Sequence, residues 1–291
     1  MKKLFPLLFI FTPFISAAQS EPTLFSPGGT ANGGTFGLTV SPDSKTALWV
    51  KSKGKRDTLI VMESVKVKGQ WQPPVVATFS LADGKWKDID PVFSPDGKLV
   101  LFQSTRPVPG RPDRKGFDIW AVEKSKKGWS APFHLGHNIN TDDSESYASM
   151  TRKGEIYFMK ENPDGLGKSD IYISEKINGA YQAPRNLGLP VNTGNRESNP
   201  FISPEGDYLI YFSDRPEGHG EVDLYISFKK GDTWSAPRNL GQPINTIAAE
   251  FCPFYHTGEK RLYFARQTKG EGRFIENLYS VSLDIEKLRD K

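Results

Sequence analysis

Four acidic residues recur at equivalent positions of this sequence, each three residues ahead of a proline or of the residue that replaces it. They are Asp88, Glu145, Glu197 and Glu250. Three arginines recur at a second shared position, namely Arg106, Arg215 and Arg266. Carboxylates that converge raise each other's pKa, as general acid catalysis requires, whereas a carboxylate beside an arginine forms strong charged hydrogen bonds. The pattern therefore predicts either a ligand or reaction site or a repeated structural joint.

The elements that must position these residues are clearest between Glu197 and Gln242. That stretch holds four short runs, apolar or alternating, each closed by turn residues: Asn199–Ser203, Tyr208–Ser213, Asp223–Phe228 and Ser235–Leu240. Four strands in fewer than 50 residues are typical of one antiparallel blade of a β-propeller.

The same pattern recurs along the chain, and its copies align at the turn between the first two strands of each. The turns are Ser41–Ser44, Ser94–Gly97, Thr151–Gly154, Ser203–Gly206 and His256–Gly258. Proline fixes φ in such a turn and glycine supplies the positive φ. We therefore predict an all-β fold, a five-bladed propeller of four-stranded antiparallel blades over residues 36–283.

The fifth copy ends without an outer strand, because the chain has no further run after Ser280–Leu283. The segment Thr23–Gly28 resembles the missing strand. We predict that it pairs with the last blade and closes the ring, which removes two sheet edges at once. Residues 19–35 are thus a closing strand and linker, and residues 284–291 a short charged tail with a frayed helix.

The first 18 residues have the order of a secretory signal peptide. Two lysines precede an apolar run that is shorter than a membrane span, and small residues follow at the expected cleavage site. The single cysteine, Cys252, is far from that site, so no lipid anchor and no intrachain disulfide are expected. We predict a periplasmic or secreted protein with no membrane span after cleavage.

The charge balance argues against nucleic-acid binding. The formal net charge is +4, and Lys2 and Lys3 belong to the predicted signal peptide, so the remaining chain carries +4 − 2 = +2. The basic residues are scattered singly among acids, which is typical of a solvated surface.

The repeats resemble the PD40 family, the WD40-like repeats of the TolB propeller. The resemblance rests on Ser94–Gly97, on Ser213–Pro216 and on the Asp-Leu-Tyr motif at Asp223–Tyr225. It implies a propeller and a binding role in the cell envelope. Two departures weaken the second implication: TolB carries an α/β domain ahead of six blades, whereas a short segment precedes five repeats here.

The site prediction places the four acids near one mouth of the central channel, with the three arginines in loops on the same face. The variable loops there make Phe274, Tyr147 and the loop arginines candidate contact residues. The structural alternative is that each acid pairs with an arginine and joins neighbouring blades. A third alternative is a glycosidase-like pair of carboxylates drawn from the same acids.

We expect no cofactor, although a Ca²⁺ ion in the central channel stays an alternative. The histidines His134, His137 and His219 do not complete a zinc set. The hypothesis is a monomeric, non-enzymatic binding or scaffold protein for a protein or glycan of the cell envelope. The alternative is a carbohydrate-active enzyme.

Overall fold

The computed structural model describes residues 20–29, 33–108, 110–111, 113–114, 116–161, 165–270 and 273–289. The predicted signal peptide, residues 1–18, lies outside the described residues. Within them the chain forms the predicted five antiparallel blades, arranged as a propeller.

The first strand, β1 (Thr23–Leu24), belongs to the last blade. Blade 1 then contains β2 (Thr35–Val40), β3 (Thr46–Lys53), β4 (Thr58–Val67), β5 (Gln70–Trp71) and β6 (Val75–Val76). Blade 2 contains β7 (Asp88–Phe93), β8 (Leu99–Ser104), β9 (Asp118–Ser125), β10 (Gly128–Trp129) and β11 (Phe133–His134).

Blade 3 contains β12 (Ser144–Met150), β13 (Ile156–Glu161), β14 (Asp170–Ser174), β15 (Lys176–Ile177), β16 (Ala180–Tyr181) and β17 (Arg185–Asn186). Blade 4 contains β18 (Glu197–Ile202), β19 (Tyr208–Ser213), β20 (Asp223–Lys230), β21 (Thr233–Trp234) and β22 (Arg238–Asn239). Blade 5 contains β23 (Ala249–His256), β24 (Arg261–Gly270) and β25 (Arg273–Ser282). A 3₁₀ turn (Thr257–Glu259) follows β23, and the helix α1 (Glu286–Arg289) follows β25.

The outer strand of blade 4 differs from the continuous strand expected over Ser235–Leu240. Its two pieces, β21 and β22, each pair with β20 and flank the sequence Ser235-Ala236-Pro237. Proline has no N–H to donate to a sheet ladder, so the pairing is interrupted there. The outer strands of blades 1 to 3 are split around prolines in the same way.

The N-terminal strand closes the ring as predicted. In β1, Thr23 lies opposite Ser280 and Leu24 opposite Tyr279 of β25. The backbone N–H of Phe25 continues the ladder by donating to the Leu278 carbonyl, 2.9 Å away. The first strand of the chain thereby supplies the outer strand of its last blade.

The core lies between neighbouring blades. Leu101 and Ile119 of blade 2, for example, pack against Ile156 and Phe158 of blade 3, and all four are buried. Each blade thus buries both of its faces against its neighbours, which fixes the five inner strands around one axis.

Candidate functional site

The four recurring acids lie inside the innermost strands, whereas the sequence pattern placed them just ahead of those strands. Asp88 and Glu197 are the first residues of their strands, and Glu145 and Glu250 the second. All four side chains are fully buried. They do not line the cavity at the mouth of the channel. Their predicted role in binding stays a prediction.

The Glu197 carboxylate joins blades 3 and 4. It accepts hydrogen bonds from the backbone and hydroxyl of Thr193, at 2.8 and 2.7 Å, and from the guanidinium of Arg215, at 3.3 Å. Arg215 in turn donates to the carbonyl of Val191, 2.6 Å away, in the connection between the two blades. The carboxylate therefore ties that connection to the inner strand of blade 4.

Blade 5 repeats this joint. Glu250 accepts from the backbone and hydroxyl of Thr246 and from Arg266, whose Nε lies 2.6 Å from the carboxylate. Arg266 also donates to the Ile244 carbonyl, 2.9 Å away. In both blades the acid and its arginine satisfy each other and the backbone of the preceding connection.

Blade 2 contains a variant of the joint. Asp88 accepts from Ser80, Ser104 and Arg106, and the shortest distance to the guanidinium is 2.9 Å. Burial raises the pKa of the Asp88 carboxyl, although the nearby Arg106 acts in the opposite direction.

Blade 3 departs furthest from the pattern. Its Glu145 accepts from the hydroxyl of Thr141 and lies 3.9 Å from Arg114, an arginine of the preceding blade that the sequence pattern did not identify. Burial raises the pKa of Glu145 as well. Lys160 lies on the strand opposite Glu145 and pairs with Asp143 at 2.9 Å.

A second ring of equivalent positions lies two residues after the acids. In every blade the pairing of the inner strand shifts register there, and the residue at the shift has a positive φ between 45° and 59°. These bulge residues are Gly37, Asp90, Tyr147, Asn199 and Cys252. Because a β-bulge re-aims the side chain that follows it, the bulges rather than the acids determine what faces the axis.

The bulge residues of different blades interlock at the centre. The Cys252 thiol lies 3.4 Å from Asn199 Oδ1 and 3.5 Å from Asp90 Oδ1, which joins blades 5, 4 and 2. A Cβ added to Gly37 would lie 2.6 Å from Asp90 Oδ1, so only glycine fits beside this carboxylate. Gly37 thereby leaves room for Asp90 at the axis.

Tyr147 crosses from blade 3 to blade 5. Its hydroxyl donates to the Pro253 carbonyl, 2.8 Å away, and its side chain is 1% exposed. The sequence pattern placed Tyr147 among the contact residues, but the structure buries it because its bulge turns the ring inward. Phe274, the other candidate aromatic, is 59% exposed.

A funnel opens above this centre. Its volume is about 730 Å³, and all five blades contribute to its wall, for example through Phe36, Gln103, Ser146, Ser198 and Phe251. Loops between the second and third strands of blades 1 to 4 reach its rim through four side chains: Arg56, Phe117, Lys168 and Glu221. Asp90, Asn199 and Cys252 also border the funnel.

The electrostatics of this floor are dominated by burial. Burial raises the pKa of the Asp90 carboxyl to about 6, although hydrogen bonds from Cys252 and Gln103 act against the shift. Burial also raises the pKa of the Cys252 thiol well above its ordinary value. The thiol is therefore protonated at neutral pH and acts as a hydrogen-bond donor.

The sequence contains one signal for these positions. The acids are similar in four of the five repeats, whereas the bulge position holds a different residue type in each. A position that varies among otherwise similar repeats, two residues after a shared one, is a candidate for recognition.

In the described part of the chain, no cluster of three or more His, Cys, Asp or Glu side chains has the arrangement of a metal site. None of the helices among the described residues has the length and apolar character needed to cross a bilayer.

No family model matches the chain, and no curated protein matches it. Several solved structures share its fold. TolB from Acinetobacter baumannii matches with 17% identity and a TM-score of 0.50, over 85% of this chain and 54% of TolB. The chain therefore spans about half the length of TolB.

Two arabinofuranosidases are similar over most of their length. PaAbf62A from Podospora anserina, in complex with cellotriose, matches with 13% identity and a TM-score of 0.55, over 91% of this chain and 96% of the enzyme. The α-L-arabinofuranosidase from Lactobacillus brevis matches with 12% identity and a TM-score of 0.53, over 85% of this chain and 90% of the enzyme. At these identities the similarity shows a shared β-propeller fold.

Proposed function

We propose that this chain is an exported, TolB-like β-propeller that binds a protein or glycan of the cell envelope in its funnel, without catalysing a reaction. The observation that carries the proposal is the funnel itself. A concave site of about 730 Å³, lined by apolar and polar side chains from a rigid ring, is the usual form of a ligand site.

The distribution of the acids supports binding over the carbohydrate-active alternative. That alternative drew its two carboxylates from the four recurring acids, and these side chains are fully buried in hydrogen-bonded joints. A general acid must come within hydrogen-bond reach of its substrate. In this proposal the recurring acids and the arginines Arg106, Arg215 and Arg266 hold the inner strands in place, and other side chains contact the partner.

The experiment compares two tryptophan variants. Ser146→Trp fills the funnel wall, and Lys153→Trp places the same bulk in an exposed turn after β12, at the opposite end of the inner strand. Envelope proteins and envelope glycans are each passed over immobilised wild type and both variants. We expect a partner that is retained by wild type and Lys153→Trp and lost from Ser146→Trp.

Two results would contradict the proposal. One is equal retention by all three proteins, which would place the partner outside the funnel. The other is release of sugar from an envelope glycan by the wild type, which would favour the enzyme.

A further inference from the structure

The floor of the funnel contains a carboxylate with few hydrogen-bond donors. The Asp90 side chain accepts one hydrogen bond at Oδ2, from Gln103 at 2.9 Å, and one weak contact at Oδ1, from the Cys252 thiol at 3.5 Å. The same thiol also lies near Asn199 Oδ1, and its single proton cannot serve both oxygens fully. The residue is nevertheless only 6% exposed.

Among the described residues, no basic side chain lies within ion-pair distance of Asp90. The buried acids Asp88, Glu197 and Glu250 each have an arginine at 3.3 Å or less. The charges that act on Asp90 from further away are Arg56 and Glu276, which have opposite effects on its pKa and form an ion pair with each other. Burying a carboxylate without a cation lowers the stability of the folded state, which indicates that Asp90 has a role other than stabilising the fold.

The surroundings of Asp90 suit a polyhydroxylated ligand. Asn199, Ser146 and Ser198 border the same funnel, and carboxamides and hydroxyls both donate and accept hydrogen bonds, as sugar hydroxyls do. Beside them, Phe36 and Phe251 form an apolar wall with their ring centres 6.1 Å apart. Apolar walls lower the local dielectric and strengthen a charge interaction at the floor.

We propose that Asp90 is the anchor for the ammonium group of an amino-sugar residue in the bound glycan. This inference rests on the proposed function and specifies its ligand class. The ammonium group would supply the cation that the other buried acids already have, and the neighbouring hydroxyls and carboxamides would contact the rest of the sugar ring.

The test uses two glycans that differ at their amino groups, which are free in one and acetylated in the other. A short chitosan oligosaccharide carries free amines, and the fully N-acetylated oligosaccharide of the same length carries none. Binding to the full chain is measured by calorimetry at pH 6.5 for wild type, Asp90→Asn and Glu205→Gln, the last removing a carboxylate of an exposed turn that pairs with Arg152 outside the funnel. We expect chitosan to bind wild type and Glu205→Gln equally, and to lose about 30-fold in affinity with Asp90→Asn.

A second measurement covers the case in which Asp90→Asn alters the fold. The carboxyl carbon of Asp90 is titrated by NMR in the wild type with and without chitosan. Because an ammonium group favours the ionised carboxylate, bound chitosan should lower the pKa of Asp90.

Four results would overturn the inference. They are equal affinity of wild type and Asp90→Asn for chitosan, equal affinity of wild type for the two glycans, tighter binding of an oligolysine peptide than of chitosan, and Asp90-dependent binding of Ca²⁺ alone. If an envelope partner still depends on Ser146 while chitosan does not bind, the inference fails and the proposed function stands. If neither binds, both fail.

Discussion

Two rings of equivalent positions surround the axis of this propeller. Both are buried, and they differ in composition and in hydrogen bonding. The outer ring contains Asp88, Glu145, Glu197 and Glu250, which are similar to one another and buried among hydrogen-bond donors. The inner ring lies two residues further along each strand and holds five different residue types at positive φ. The outer ring repeats one kind of buried joint with variations between blades, and the inner ring holds a different residue type in each blade.

The difference shows how a repeat protein separates stability from recognition. A joint between blades is needed as often as there are blades, so its residues recur. A ligand site on the axis is needed once, so the five positions around it can diverge. Asp90, a buried acid without an ion pair among the described residues, belongs to the second kind although its residue type suggests the first.

The largest effect is expected in the outer ring. Replacing Glu197 by Ala leaves the guanidinium of Arg215, which is 7% exposed, without its carboxylate. Breaking a buried pair in this way should lower the free energy of unfolding by about 3–5 kcal/mol. Urea unfolding monitored by circular dichroism measures the change.

The control is Glu205→Ala, which removes an acid of an exposed turn whose ion pair with Arg152 is also exposed. That variant should change stability by less than about 0.5 kcal/mol. A loss below 1 kcal/mol for Glu197→Ala would mean that the joint does not hold blades 3 and 4 together, and the comparison of the two rings would collapse.

The sequence predicted the outer architecture well because it is encoded locally. Turn residues such as Ser94–Gly97 and Ser203–Gly206 fix where each blade bends, and their repetition gave the number of blades. The pairing of Thr23 and Leu24 with the last blade was also predictable, because the fifth repeat lacked an outer strand.

The direction of the axial side chains could not be predicted in the same way. Alternation along a strand assigns each residue to one face, but a bulge shifts the pairing by one residue and reverses the assignment. The acids were expected at the channel mouth because their position was taken to precede the innermost strands, and Asp90 and Asn199 were not recognised. The burial of Tyr147 follows from its contact with Pro253, more than 100 residues away in the chain, which no local pattern contains.

Replacing Asp90 of the inner ring should change the free energy of unfolding by a similar amount in the opposite direction. The folded-state pKa of Asp90, about 6, lies above the ordinary value of 3.8. Folded protein therefore holds this proton where unfolded protein has lost it, and ionisation of Asp90 lowers stability as the pH rises from about 4 to about 6. The cost at pH 8 is about 3 kcal/mol.

Asp90→Asn removes that cost. The variant should match the wild type near pH 4 and exceed it by up to about 3 kcal/mol at pH 8. Urea unfolding of both proteins at the two pH values measures the difference, in which contributions from other titrating groups cancel. A variant that is less stable than the wild type at pH 8 would show that Asp90 is a structural residue like the acids of the outer ring.

The smallest effect on stability is expected for Tyr147, which crosses beneath the floor of the funnel. Tyr147→Phe removes one hydroxyl, which donates to the Pro253 carbonyl at 2.8 Å, and retains the buried ring. Loss of one such hydrogen bond should cost about 1 kcal/mol. Because the side chain is 1% exposed and does not border the funnel, chitosan affinity should stay unchanged. Urea unfolding measures the change in stability, and calorimetry measures the affinity for chitosan. If Tyr147→Phe lost affinity as Asp90→Asn does, the recognition surface would extend below Asp90 and the inner ring as a whole would belong to the ligand site.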